Sequence, residues 1–251
     1  TQLLSLVCCQ MTDKSPKQDQ GCLYGVGVGP GDPDLLTIKA QRLLQRVEAI
    51  CFTQLDDGRE SYALSVVRDS LNIVQPEFIS ITVPSDDSPV SEQIWRDAAS
   101  RIGAHLELGR DVAFITEGDP MLYSEFSHLL ESVRSAFPNQ PVEVLPGVSS
   151  IMAAAASSGT PLVTHGQRLA ILPAVYGIDD LREAITNYDT IVLMEVNRTL
   201  LDALANLEKL GLAGKAIYVR RATTESEEVV QNIGNLTAED FDYFSLLIIK
   251  H

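Results

Sequence analysis

An α/β fold of two domains with mainly parallel sheets, and a cleft between them, is what this 251-residue sequence predicts. Three observations carry the prediction. From residue 22 onward, short apolar runs alternate with longer helical patterns, the rhythm of parallel strands joined by crossover helices. Several of these runs lead straight into a glycine-containing turn and then a helix. The segment "SSGTPLVTHGQ", residues 157–167, then interrupts the rhythm with Gly, Pro and Thr. Nine apolar runs are many for one sheet, so a boundary is expected there. The expected divisions are a tail over 1–20, a first α/β domain over 21–164 and a second over 165–251.

The expected strands of the first domain are Leu23–Val28, Ala49–Thr53, Ile79–Val83, Val112–Thr116 and Val142–Leu145. Those of the second are Leu169–Pro173, Thr190–Met194, Lys215–Val219 and Tyr243–Ile249. Each is short, apolar and rich in branched side chains. Helical patterns fall near 34–47, 60–71, 91–108, 124–136, 150–158, 179–187, 199–210 and 237–241. In the first, Leu36, Ala40, Leu43, Leu44 and Val47 form one apolar face, with Asp32 placed to cap and Pro33 suited to the first helical position. In the fourth, Phe126, Leu129, Leu130 and Val133 do the same.

Composition bounds the function. With 45% hydrophobic and 21% charged residues, the chain can bury a sizeable core. Nineteen basic residues against 34 acidic give a net charge of −15, which disfavours nucleic acid and anionic membranes as partners. Cys8, Cys9, Cys22 and Cys51 form no C-x-x-C pair and the four histidines are scattered. No metal site or disulfide framework is expected, and a reducing, cytoplasmic location fits best. The opening "TQLLSLVCCQ" has an apolar run too short to span a membrane and no basic flank.

The chemistry is carried by three turns of one design. "YGVGVGPGDPDLL" runs from a strand through Gly25, Gly27, Gly29 and Gly31 to Asp32-Pro33. "VAFITEGDPMLYSEF" runs from a strand through Gly118-Asp119-Pro120, and "VEVLPGVSSIMAAAASSG" through Pro146-Gly147, with Ser149 and Ser150 placed to cap. The first fails the G-x-G-x-x-G dinucleotide pattern, because the sixth position counted from Gly25 is Pro30 and from Gly27 is Asp32. An aspartate at the helix start also opposes phosphate there. In an open parallel sheet, such turns share the edge formed by the strands' carboxyl ends. Backbone groups and carboxylates on that edge suit a ligand with a cation or sugar hydroxyls.

Taken in order, "YGVGVGPGDPDLLTIKA", "ITEGDPMLYSEF", "VLPGVSSIMAAAASSGTPLV", "IVLMEVNR", "YVRRATTESEEV" and "YFSLLII" resemble the successive motifs of the tetrapyrrole (corrin and porphyrin) methyltransferases. The resemblance runs from about residue 22 to the C-terminus. It is strongest to the branch that methylates C20 of precorrin-2 or cobalt-precorrin-2. It implies two α/β domains, usually a homodimer, and S-adenosylmethionine folded into the interdomain cleft. By motif it implies that Pro30, Glu117, Gly118, Asp119, Leu122, Ser149, Ser150, Met194 and Ala222 line the cofactor site. It also places the Gly29–Asp32 turn (Gly29, Pro30, Gly31, Asp32) beside the tetrapyrrole. Three places depart from the family pattern: Glu195 and Asn197 in "LMEVNR", Arg220 in "YVRRAT", and Glu117 in "TEGDP".

For methyl transfer of this kind, the protein chiefly has to align donor and acceptor. No Ser-His-Asp set or paired-carboxylate motif stands out. Tyr123 and Asp32 are the candidates near the site able to move a proton, against the simpler readings that Tyr123 packs and Asp32 caps. A polycarboxylate substrate calls for local positive charge, for which Lys39, Arg59, His165, Arg168, Arg220 and Arg221 are available. Arg59, in the loop after the second strand, is the one expected to meet the substrate. The acidic run 225–228 reads as a solvated turn. The competing readings are methylation at C11 or C17 or of uroporphyrinogen III, a diphthine-forming enzyme and, from other classes, a nicotinamide or flavin oxidoreductase or a non-catalytic binding protein that keeps the fold.

Overall fold

A computed structural model describes residues 20–68, 76–85, 89–173, 178–194, 205, 207–237, 240 and 242–250. Residues 1–19, with Cys8 and Cys9, and also Glu195 and Asn197, lie outside the described residues, as does most of the helical pattern expected at 199–210.

The first sheet holds β1 (Leu23–Gly27), β2 (Ala49–Leu55), β3 (Glu77–Val83), β4 (Val112–Thr116) and β5 (Val142–Leu145) in the order β3-β2-β4-β1-β5. Every pairing in it is parallel. β1 and β4 are buried along their whole length, which is why they read as unbroken apolar runs. Helices cover both faces. On one lie α1 (Ile38–Leu44) and α2 (Tyr62–Val67); on the other lie α3 (Glu92–Glu107) and α4 (Phe126–Ala136). Phe126 fits into the space left by a missing side chain: a Cβ on Gly25 would lie 2.4 Å from its ring. Sequence and packing agree here, since Phe126, Leu129, Leu130 and Val133 are all buried.

The stretch expected to be one helix over 34–47 is broken. Asp32 caps a 3-10 turn, Pro33–Leu35, and its Oδ1 accepts the Asp34 N–H at 2.8 Å. Leu36 and Thr37 are extended, and the Thr37 hydroxyl then caps α1 by accepting from the Ala40 N–H. A second capping side chain three residues before Ala40 lets the helix restart, and the intervening turn supplies the bend.

The second sheet holds β6 (Leu169–Pro173), β7 (Thr190–Met194), β8 (Ala216–Arg220), β9 (Glu228–Val230) and β10 (Ser245–Lys250) in the order β6-β7-β10-β8-β9. Here the parallel expectation holds only for β6 and β7; the other three pairings are antiparallel. The reason lies in connection length. Residues 221–227 are too few for a crossover helix, so β9 has to turn back along β8. β10 inserts between β7 and β8, antiparallel to both. β9 also corrects the reading of residues 225–228 as only a solvated turn, because Glu228 pairs with Arg220 in the ladder. The pattern at 237–241 is preceded by a 3-10 turn at Ile233–Asn235; residues 238, 239 and 241 lie outside the described residues.

Helix α5 (Ser150–Ser157) leaves the first sheet's edge but packs on the second sheet. Its Ile151, Ala153 and Ala154 share a core with Val192, Val219, Leu246 and Ile248, while α6 (Ile178–Asn187) covers the opposite face. The small side chains of α5 permit this close approach. Among the described residues, no helix is long and apolar enough to cross a membrane.

Candidate active site

Because β4, β1 and β5 are neighbours and parallel, the turns that follow them meet at one edge. They meet so closely that no side chain fits between them. A Cβ on Gly27 would lie 2.4 Å from the Gly118 carbonyl oxygen and 2.7 Å from the Gly147 Cα. One on Gly147 would lie 2.0 Å from the Gly118 oxygen and 2.8 Å from the Gly27 Cα. Gly29 and Gly118 also form an isolated bridge, in which the Gly118 N–H donates to the Gly29 carbonyl at 2.8 Å. Both have positive φ, 83° and 60°, which L side chains rarely adopt.

Asp119 fastens the second and third turns together. Its Oδ2 accepts the Gly147 N–H at 3.0 Å and its Oδ1 accepts the Met121 N–H at 2.9 Å. Ser149 caps α5 by accepting from the Ile151 N–H, and Ser150 is that helix's first residue. Leu122 and Met194 pack against the same apolar cluster as Ala222, beside α5. The expected site residues of the second, third, fourth and "RAT" motifs thus stand close together, spanning both sheets.

The two halves are tied across this region. The Tyr123 hydroxyl donates to the Ile171 carbonyl at 3.2 Å, and Tyr123 has a φ of 50°. The Asp32 N–H donates to Thr223 Oγ1 at 3.3 Å. Thr223 and Arg221 are themselves in left-handed conformations, at 70° and 46°. Glu227 supports that loop by accepting from the Thr223 N–H and, at 2.6 Å, from the Ser157 hydroxyl at the end of α5. The Pro30 carbonyl accepts from the Tyr62 hydroxyl at 3.2 Å. Sequence reasoning missed Tyr62, Thr223 and Glu227, because their roles depend on partners 32 to 191 positions away that no local pattern marks.

Glu117 Oε1 accepts the Ala63 N–H at 3.2 Å. Burial pushes its carboxyl above the usual range and Glu125 adds to the push, while the Ala63 N–H opposes it. A carboxyl whose pKa is higher folded than unfolded helps the fold most below its unfolded pKa, and that contribution is lost as the pH rises through the folded pKa. Glu117→Gln keeps an acceptor for Ala63 without the charge. It is expected to melt with the parent below the folded pKa and above the parent once the pH has risen through it. Thermal melts of both proteins across that pH range check this.

The cations do not form an open cluster. Lys39 pairs with Glu143, Arg220 with Glu228, and Arg221 with Asp242 at 2.7 Å. Arg168 lies over the Tyr188 ring, 5.9 Å from its centroid. Arg59 is largely exposed in the loop after β2, with its Nε donating to Asp57 Oδ2 at 2.6 Å. No described contact brings it against the glycine turns. Among the described residues, no three His, Cys, Asp or Glu side chains gather as a metal would need.

Comparison with known proteins decides what family this geometry represents. Residues 22–237 match the family model of the Tetrapyrrole (Corrin/Porphyrin) Methylases. The chain belongs to this family. Among curated methylases, it is 32% identical over 232 residues to the cobalt-precorrin-2 C(20)-methyltransferase of Salmonella typhimurium, covering 92% of this chain and 96% of that one. It is 31% identical over 237 residues to the precorrin-2 C(20)-methyltransferase of a Sinorhizobium species, covering 91% and 95%. It also matches the cobalamin biosynthesis protein CobIJ of Mycobacterium tuberculosis at 33% identity, and there spans only 46% of the relative's length. Among solved structures, uroporphyrin-III C-methyl transferase from Thermus thermophilus, complexed with S-adenyl homocysteine, aligns with a TM-score of 0.65 at 25% identity, covering 92% of each chain.

Proposed function

We propose that this methylase transfers a methyl group from S-adenosylmethionine to C20 of precorrin-2 or cobalt-precorrin-2, in cobalamin biosynthesis. The observation that carries the proposal is the junction of Gly27, Gly118 and Gly147, a wall that presents backbone and leaves no room for side chains. Relatives matching over more than nine-tenths of both chains support the C20 assignment.

The residues present fit the donor. Beside the junction, Asp119 braces the second and third turns through the Met121 and Gly147 N–H groups and Glu117 accepts from the Ala63 N–H, so the acids nearest it hold main chain in place and bring no positive charge to repel a sulfonium cation. When bound, S-adenosylmethionine supplies an electrophilic methyl group. The chain's own part is to hold and align. We assign cofactor contacts to Pro30, Glu117, Gly118, Asp119, Leu122, Ser149, Ser150, Met194 and Ala222, and tetrapyrrole contacts to Gly29, Gly31, Asp32 and Arg59. Alignment of this kind can supply roughly 7–11 kcal/mol of a barrier. C20 of a reduced tetrapyrrole is enamine-like, so the remaining task is to receive its proton after transfer. Of the two proton-moving candidates, Asp32 holds the Asp34 N–H and Tyr123 donates to Ile171, so each already has a structural duty.

Free Cys22 and Cys51 support a reducing, cytoplasmic location, and family membership supports a homodimer, which sedimentation would test. The main experiment is incubation with labelled S-adenosylmethionine and precorrin-2, with and without cobalt. A gain of one methyl, located on C20 by carbon NMR, is expected. Methylation elsewhere, or none on either form, would overturn the reading. Arg59→Ala is expected to weaken tetrapyrrole binding about tenfold, the loss of one charge-assisted contact, with S-adenosylmethionine affinity unchanged. Titration of each ligand against the variant checks this.

A further inference from the structure

Tyr62 is the first residue of α2 and lies in none of the motifs that carry the resemblance. Tyr62 and its neighbour Ala63 together reach three parts of the site. Its hydroxyl donates to the Pro30 carbonyl at 3.2 Å, fixing the turn after β1. Its ring stacks on Phe244, just ahead of β10 in the second half, with centroids 4.3 Å apart and planes 28° from parallel. Next to it, the Ala63 N–H donates to Glu117, at the turn after β4. Phe244 is also held by Arg221, whose guanidinium lies 5.8 Å from its centroid and whose backbone N–H donates to the Phe244 carbonyl at 2.7 Å. Gly31 is confined between Tyr62 and Thr224, since a Cβ there would lie 2.4 Å from the Tyr62 hydroxyl and 2.5 Å from the Thr224 methyl.

We infer that Tyr62 is a positioning residue for methyl transfer: its ring sets the separation of the two halves through Phe244 while its hydroxyl holds the Pro30–Gly31 turn at that separation. The inference rests on the proposed function. The logic is geometric. The turn after β1 stands between the two ligands in that reading, and it is tied to the second half by the Asp32 N–H on Thr223. A small change in turn or gap alters the reacting distance, and rates fall steeply with misplacement. Burial raises the Tyr62 pKa, so the phenol stays protonated and remains a donor through neutral pH.

Tyr62→Phe keeps the stack and removes only the hydroxyl; Tyr62→Leu removes the stack as well. For Tyr62→Phe, kcat is expected to fall at least tenfold while KM for S-adenosylmethionine and the calorimetric Kd for S-adenosylhomocysteine stay within twofold. Tyr62→Leu is expected to lose more kcat and to weaken S-adenosylhomocysteine binding too. Hydrogen exchange of the parent and Tyr62→Phe, read by mass spectrometry, supplies a readout independent of turnover. The amides of Gly29, Gly31 and Asp32 should exchange faster in the variant, with those of β1 unchanged. An unchanged kcat in Tyr62→Phe, unchanged exchange at 29–32, or a kcat loss matched by an equal loss of folded protein would each overturn the inference. A parent that fails to methylate would overturn the proposed function instead, and faster exchange at 29–32 would still show the hydroxyl holding the turn.

Discussion

Gly147→Ala is expected to abolish S-adenosylhomocysteine binding and to destabilise the protein by about 3 kcal/mol, the upper end of what overpacking costs. In a chain of this size that is a fall of roughly 6–12 °C in melting temperature. One methyl group has so large an effect because of what it meets. The added carbon would stand 2.0 Å from the Gly118 carbonyl oxygen and 2.8 Å from the Gly27 Cα, and both are main chain. A crowded side chain can rotate away; here relief requires parting two turns whose strands β4 and β5 are both paired to β1. Gly159→Ala is the control. Gly159 has a φ of 62°, so a side chain there costs roughly 1–2 kcal/mol of backbone strain, but nothing lies within 4 Å of the added carbon. Its melting temperature should drop modestly with ligand binding intact. Equal ligand affinity in Gly147→Ala and the parent, by calorimetry, would show that the junction is no binding wall.

How much of this was legible in the sequence depends on the range of the interaction. The buried strands were plain, because a run such as Leu23–Gly27 has no polar face to hide. So were the faces of α1 and α4, where 3.6-residue periodicity selects the buried side chains. The three turns were visible as motifs, and the shared edge followed from strand direction. That Gly27, Gly118 and Gly147 touch was not visible, because contact depends on β1 lying between β4 and β5, and strand order leaves no local trace. The antiparallel half of the second sheet was missed for a related reason. β9 is three partly buried residues beginning with Glu228, too short and polar to read as a strand until β8 pairs with it. Within the expected helix over 34–47, Thr37 was read as part of the pattern although it is itself a cap. Composition supplied candidate cations for the substrate but could not show that Lys39, Arg59, Arg220 and Arg221 are already paired.

Asp119→Ala is expected to weaken S-adenosylhomocysteine binding roughly 30- to 150-fold, equivalent to about 2–3 kcal/mol. Each of its oxygens accepts one main-chain N–H, from Met121 and from Gly147, and a hydrogen bond to a charged group is worth about 1.5–3 kcal/mol net. Losing both frees the second turn from the third and leaves two donors without their partner. Asn distinguishes two ways in which this residue could serve the ligand. If Asp119 acts by charge, through direct contact with a cationic ligand, Asp119→Asn loses as much as Asp119→Ala. If it acts as a brace, Asn keeps one acceptor oxygen, still satisfies one of the two amides, and recovers part of the affinity. The geometry favours the brace, since both oxygens already face main-chain donors at 2.9–3.0 Å. Affinity is therefore expected to fall in the order parent, Asn, Ala, with Asn about midway on a logarithmic scale. Calorimetric titration of the three proteins checks the order, and an Asn variant as weak as Ala would assign the effect to charge.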